Sequence, residues 1–234
     1  MSQGAWCGAI VVAAGGSSRM GGVDKQFALL AGLPVLARTV AAFEAAPEVH
    51  AIVVVANVTT LDRVQALGAQ SAWSKVVAVV PGGARRQDSA DHGLAALEAA
   101  AAAQRADLDL VLVHDGARPL VAPDLITRGI AAARQHGAAI AAVPARDTIK
   151  VVEADGRITA TPDRATLRQA QTPQVFRYAL LAAAYQAART QDLAVTDDAA
   201  LLEALGIPVY TFDGDPRNLK ITTPEDLLVA ATLL

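Results

Sequence analysis

A single cysteine, Cys7, among 234 residues rules out an intrachain disulfide and any zinc cluster built on several thiolates. No segment approaches the ~18 uninterrupted apolar residues of a membrane span, so no membrane association is expected. Met1 to Gly8 has no basic stretch leading into a long apolar one, which speaks against a secretory signal. Positive charge is not in excess either. Twenty Lys and Arg against 23 Asp and Glu give a formal net charge of −3, unlike the basic footprint of a general nucleic-acid binder. These absences predict a cytoplasmic protein that binds neither nucleic acid nor membrane, and they require any phosphate recognition to come from local cations. Composition argues against disorder, because an apolar fraction of 53% is ample for a full core.

What is present begins with the stretch Ala13-Ala14-Gly15-Gly16-Ser17-Ser18-Arg19-Met20-Gly21-Gly22-Val23-Asp24-Lys25-Gln26. It follows the apolar run from Ala9 to Val12 and reads as a first strand entering a glycine-rich loop. Such a loop presses backbone N–H groups against an anion, since glycine permits close approach and positive φ. Arg19 and Lys25 add two permanent cations, which suits a polyphosphate. Two familiar phosphate loops do not match. After Gly21 come Gly22 and Val23 in place of the Lys-Ser/Thr of a P-loop, and no glycines show the G-x-G-x-x-G spacing of a dinucleotide fold. On the glycines alone, a surface loop with two solvated cations is an equally open reading.

Short apolar runs alternate with helical patterns along the rest of the chain. Strands are predicted at Ala9–Ala14, Ile52–Ala56, Val76–Val80, Leu110–Val113, Ile140–Val143 and Val209–Phe212. Helices are predicted at Pro34–Ala46, Leu61–Gln70, Gln87–Arg105 and Pro123–His136. This alternation indicates one α/β domain with a mostly parallel sheet covered on both faces, and ligands then belong at the carboxyl ends of its strands. One region breaks the rhythm: Thr148–Glu153 and Ile158–Thr161, joined through Asp155-Gly156, read as a β-hairpin. A hairpin is marginal alone, so it is expected to pack on its own domain or on a second copy.

Three further constellations follow predicted strands. Pro81-Gly82-Gly83 through Asp88-Ser89 opens a helix and suits a nucleotide, although an ordinary strand–helix loop with Asp88 or Ser89 as cap is the plainer reading. In His114-Asp115-Gly116-Ala117-Arg118, Asp115 at a strand end is placed to hold Mg²⁺ on phosphate oxygens, and Arg118 to clamp a second phosphate. A local Asp–Arg turn is the alternative, and His114 reads as a core residue. Lys220 lies in a short apolar run where burial is costly without an anionic partner; Asp213 and Asp215 read as turn formers.

Taken in order, these pieces resemble one family, the 2-C-methyl-D-erythritol 4-phosphate cytidylyltransferases of non-mevalonate isoprenoid synthesis. The carrying residues are Ala13-Ala14-Gly15, Arg19-Met20-Gly21, Lys25-Gln26, Gly82-Gly83, Asp88-Ser89, His114-Asp115 and Ala117-Arg118-Pro119, then Asp147-Thr148-Ile149-Lys150, Asp163-Arg164, Gln171-Thr172-Pro173-Gln174, Thr196-Asp197 and Asn218-Leu219-Lys220. The resemblance implies a Rossmann-like, three-layer nucleotidyltransferase fold over 1–234, with a β-hairpin arm inserted at 146–173 that embraces a second subunit of a homodimer. It implies CTP and methylerythritol phosphate as substrates, Mg²⁺ held near Asp115, and catalysis by Arg19, Lys25, Arg164 and Lys220. Nucleotide contacts are implied for Ala13, Ala14, Gly15, Gly83 and Ser89; acceptor contacts for Asp115, Arg118, Thr148, Thr172 and Thr196. Ala84 departs from the family's common acidic residue, and Arg168 from a common aromatic. A ribitol-5-phosphate cytidylyltransferase is the alternative, and an inactive nucleotide sensor the second.

Overall fold

The computed structural model describes residues 5–17, 20–22, 24–191 and 193–234. Its axis is β1 (Ala5–Ala13), fully buried from Cys7 onward. A strand covered on both faces needs apolar side chains at every position rather than alternate ones. Cys7, Ala9, Val11 and Ala13 face one helical layer, Ile10 and Val12 the other. In chain order follow β2 (Leu29–Leu30), β3 (Leu33–Pro34), α1 (Val35–Ala45), β4 (Ala51–Ala56), α2 (Leu61–Gln70), β5 (Val76–Pro81) and α3 (Arg86–Ala103). Next come β6 (Asp107–Asp115), α4 (Pro123–His136), β7 (Ala138–Pro144), β8 (Val151–Val152), β9 (Ile158–Ala160), β10 (Arg168–Arg177), α5 (Tyr178–Gln191), α6 (Ala199–Ala204), β11 (Tyr210–Asp213) and α7 (Pro224–Thr232).

Seven strands form the central sheet in the order β11-β7-β10-β6-β1-β4-β5. The pairs β1–β4, β1–β6, β4–β5 and β7–β11 are parallel. Helices α1, α2 and α4 pack on one face and α3, α5 and α6 on the other. Close approach of α3 is possible because Gly93 has no side chain: a Cβ there would lie 2.4 Å from Ile10 Cγ2. The predicted α/β class and mostly parallel sheet are thus what the chain forms. The main difference is β10, which the sequence did not reveal as a strand. It runs antiparallel to both β6 and β7, so the sheet is mixed. Its polar run Gln169-Ala170-Gln171-Thr172-Pro173-Gln174 hides it, since proline and glutamine ordinarily argue against an inner strand. Pairing with β7 is interrupted between Ala170 and Gln174.

The chain crosses from β5 on one side of β1 to β6 on the other, so the carboxyl ends of β1 and β6 flank a topological switch point, where open α/β sheets bind ligands. A third, smaller core lies beside that point, made by Met20, Ala28, Leu30, Val35, Ala117, Ile221 and Ala230. Strands β8 and β9 pair with each other in a separate two-stranded sheet, with Gly156 at φ +89° in the turn. Val151, Val152 and Ile158 on it are exposed.

Candidate active site

A cleft of about 420 Å³ opens over the carboxyl ends of β1, β4, β5 and β6, lined among others by Ala14, Gly15, Lys25, Gly83, Ser89, Asp115 and Lys220. Seven residues that the sequence assigned to binding or catalysis therefore meet in one place, drawn from loops far apart in the chain. Arg19 lies outside the described residues. Ala13 lines a smaller neighbouring concavity with Gly15 and Gly16.

Each wall has a local cause. In the first loop the Asp24 carboxylate accepts from the Gln26 backbone N–H at 3.0 Å, and the Lys25 N–H donates to Ser17 Oγ at 3.1 Å. This folding directs the Lys25 ammonium back to the Gly16 carbonyl at 2.8 Å. Met20, 2% exposed, anchors the loop in the third core. On the opposite wall the Gly83 N–H donates to Ser89 Oγ at 3.1 Å, which in turn donates to the Arg85 carbonyl at 3.1 Å. The helix cap differs from the expected Asp88 or Ser89. Arg85 occupies the cap position, and Asp88 reaches back to accept from its backbone N–H at 3.0 Å.

Asp115 is the floor of the cleft. Its carboxylate receives Lys220 Nζ at 2.9 Å, Arg118 Nε at 3.4 Å and Arg86 Nε at 3.4 Å. Burial alone would raise its pKa, but Lys220, Arg86 and Arg118 outweigh that and hold it well below the usual carboxylate range. Lys220 has in Asp115 the anionic partner that its apolar setting demanded. It is delivered between two fully buried neighbours: Ile221, whose N–H donates to the Ala117 carbonyl at 2.7 Å, and Asn218, whose side chain donates to the Thr172 carbonyl at 2.7 Å. Arg118 Nη1 donates to the Asn218 carbonyl at 2.7 Å, closing the same corner. Asp215 is the expected turn former, accepting from the Arg217 N–H at 2.8 Å.

Other assigned residues stand further off. Thr172 is buried beneath Asp115, its Oγ1 accepting from the Asp115 N–H at 3.1 Å. Arg118 and Lys220 line an adjoining concavity with Arg146, and Arg146 also borders a third that holds Arg164 and Arg168. Arg164 donates to the Arg146 carbonyl at 2.8 Å and does not line the central cleft. Thr148 and Thr196 are exposed and line neither the cleft nor these concavities. His114 is a fully buried core residue against Phe43, and burial drives its pKa down to about 3. Sequence reasoning missed Arg86, Gln26 and Asn57 as cleft residues. The signal for Arg86 was its place at the first turn of a helix inside a motif already singled out.

Comparison with known proteins agrees with this geometry. Residues 7–234 match the family model of 2-C-methyl-D-erythritol 4-phosphate cytidylyltransferase. The chain is 47% identical over 227 residues to the enzyme of that name from Dehalococcoides mccartyi strain CBDB1, covering 97% of this chain and 95% of the relative. It is also 47% identical over 229 residues to the one from Geobacter metallireducens, covering 97% and 96%. Among solved structures, 4-diphosphocytidyl-2C-methyl-D-erythritol synthase from Anaerococcus prevotii superposes with a TM-score of 0.85 at 29% identity, covering 98% of this chain and 96% of that one. With the model match running from Cys7 to the last residue and the cation-lined cleft at the switch point, the chain belongs to the 2-C-methyl-D-erythritol 4-phosphate cytidylyltransferase family.

Proposed function

We infer that this chain transfers the cytidylyl group of CTP to 2-C-methyl-D-erythritol 4-phosphate, giving 4-diphosphocytidyl-2-C-methyl-D-erythritol and pyrophosphate, in non-mevalonate isoprenoid precursor synthesis. The observation that carries this reading is whole-chain family membership together with a cleft where Lys25, Asp115 and Lys220 converge. In the reaction an acceptor phosphate oxygen attacks the α-phosphorus of CTP. The bond from that phosphorus to the oxygen bridging to the β-phosphate breaks, and pyrophosphate leaves with the electron pair. An acceptor phosphate already ionised at neutral pH needs no general base, so catalysis reduces to positioning and charge stabilisation.

Lys25 and Arg19 are the cations assigned to the charge that builds on the α-phosphoryl and leaving groups. Lys220 and Arg164 are assigned to the acceptor phosphate, with Arg118, Thr148, Thr172 and Thr196 around the acceptor. Ala13, Ala14, Gly15, Gly83 and Ser89 are assigned to CTP. Asp115 offers one carboxylate, and among the described residues no group of three or more His, Cys, Asp or Glu gathers. That donor set suits Mg²⁺, which is held through one or two carboxylates plus substrate phosphates. Bound there, the ion would neutralise triphosphate charge.

Segment 146–173 is read as an arm inserted in a single domain, through which two copies form a homodimer. Support comes from the exposed Ile149, Val151, Val152 and Ile158 and from Arg164 lying outside its own chain's cleft, where a neighbour's cleft would take it. No helix among the described residues is long and apolar enough to cross a membrane, and we place the protein in the cytoplasm. The test is pyrophosphate release with Mg²⁺. CTP with methylerythritol phosphate is expected to turn over in strong preference to ATP or GTP, because a backbone-lined slot for a pyrimidine excludes purines. Preference for ribitol 5-phosphate would reassign the acceptor, and no turnover with any pair would favour a nucleotide sensor.

A further inference from the structure

Arg86 and Asp198 make a contact that the reaction just described does not use. Arg86 opens α3, lines the cleft, and its side chain is 26% exposed. Its Nη1 donates to Asp198 Oδ2 at 2.7 Å, while its Nε points to Asp115 Oδ1 at 3.4 Å. One guanidinium therefore spans two carboxylates, one at the end of β6 and one at the start of α6. Asp198 is wholly buried, and Tyr185 on α5 donates its hydroxyl to Asp198 Oδ1 at 2.5 Å. Burial and the adjacent Asp198 keep that hydroxyl protonated, so Tyr185 is the donor. Both oxygens of a buried carboxylate are thus occupied, as its desolvation demands.

The arrangement is more specific than a helix cap. Asp198 stands at the cap position of α6, yet its side chain makes no cap hydrogen bond. Asp197 does that work instead, accepting from the Ala200 N–H at 3.1 Å. Asp198 is left to hold Arg86. The backbone around it is pinned from the core as well: Gln174 Oε1 accepts from the Asp198 and Ala199 N–H groups at 3.1 and 3.2 Å, and Gln87 Oε1 accepts from the Val195 N–H at 3.1 Å. Thr196 sits in that segment, two residues before Asp198.

We propose that Arg86, held by Asp198 and Tyr185, is a positioning residue that ties the 193–198 segment, which carries the acceptor-assigned Thr196, to Asp115 on the floor of the cleft. Lysine cannot replace it, because a single ammonium lacks the planar fork that reaches both carboxylates.

The inference rests on the proposed function only for its kinetic test, so a measurement on the ligand-free protein accompanies it. Hydrogen–deuterium exchange is compared for wild type, Asp198→Asn and Arg86→Lys. Faster exchange is expected both at 193–201 and at 115–118; a change confined to 193–201 would overturn the tie. Kinetically, Tyr185→Phe should lower kcat/KM for the acceptor about 3- to 10-fold in the wild-type background and less than 2-fold in Arg86→Lys, since contacts acting through one group are non-additive. Equal losses in both backgrounds, or a lower urea midpoint with unchanged kcat and KM, would reduce the cluster to a stabilising one. Should wild type turn over neither acceptor, the exchange pattern still decides for or against the tie, while the proposed function falls separately.

Discussion

Gly82→Ala adds one methyl at the point where the two walls of the cleft touch. A Cβ there would lie 2.4 Å from Ala14 Cβ and 2.7 Å from Ser89 Oγ, against ordinary contacts of 3.4–4 Å. Neither neighbour is the loose end of a flexible side chain. The backbone of Gly82 is fixed too, its N–H donating to the Ala56 carbonyl at 2.8 Å. Overpacking of this kind costs ~1–3 kcal/mol, and displacing Ser89 Oγ from the Gly83 N–H and the Arg85 carbonyl adds ~1 kcal/mol per bond lost. Alanine returns ~0.4–1 kcal/mol through the unfolded chain. With both Ser89 bonds lost the balance is a destabilisation of ~2–4.5 kcal/mol, read as a lower urea midpoint at unchanged m-value. The same shift parts Ala14 from Gly83, so CTP affinity should fall by about tenfold for each ~1.4 kcal/mol of binding lost. Gly16→Ala is the control, because a Cβ there meets nothing within 4 Å; its stability should stay within ~0.5 kcal/mol of wild type. A Gly82→Ala protein with the wild-type midpoint and CTP affinity, by calorimetry, would refute the reasoning that these walls are packed at a fixed separation.

Lys25→Ala and Arg19→Ala should lower kcat on the order of 10²–10³-fold with little change in the urea midpoint, the scale of losing one preorganised charge donor; near wild-type kcat in either would void its assignment. Mixing Arg164→Ala with Lys25→Ala subunits should restore part of the lost activity if the neighbour's Arg164 completes each site, and a verified heterodimer without rescue would count against sharing. His114 is held near 3 by burial against ~6.5 unfolded. It follows that stability present above pH 6.5 is lost as pH falls toward 3, where the unfolded chain takes up a proton that the folded one refuses. Urea titrations of the ligand-free protein should give a shallower acid loss for His114→Gln than for wild type between pH 6 and 5, and identical slopes would contradict the assignment. Cys7 is 2% exposed and burial pushes its thiol up to about 12, so iodoacetamide should modify it in urea and leave the native protein untouched.

The strands that carry the nucleotide side of the cleft were legible because their signal is continuous burial. The runs read as Ala9–Ala14 and Ile52–Ala56 are apolar throughout, and their shortness and Val/Ile content decide for strand over buried helix. Strand β10 was not legible, because its code is not hydrophobicity. Gln171 and Gln174 sit in the core as brackets: Gln171 Nε2 donates to the Asp215 carbonyl at 2.9 Å, and Gln174 Nε2 to Asp197 Oδ2 at 2.8 Å. Their partners lie more than twenty residues away, and a local reading has no access to them. Arg86 was legible only as a basic residue in the first turn of a helix; its role comes from Asp115 and Asp198, and nothing in Arg85-Arg86-Gln87 tells which arginine meets them. The structure separates the two arginines: both line the cleft, but Arg85 pairs with its near neighbour Asp88 at 2.9 Å, while Arg86 reaches Asp115 and Asp198.

Charge explains why such a site can exist in a chain whose net charge is −3. Lys25, Arg86, Arg118 and Lys220 gather near the cleft and its adjoining concavity, and their mutual repulsion would be severe at low effective dielectric. Asp115 and Asp198 offset part of it. Asp115 cannot relieve the balance by protonation, because its neighbours hold it ionised far below neutral pH. Cations therefore outnumber the carboxylates that face them, and substrates that carry phosphate are the kind of ligand that discharges such a surplus. A cluster built only of cations would be costly to fold, and one fully neutralised would have little hold on CTP. Asp115 at the end of β6, shared among three cations, keeps the site between these limits.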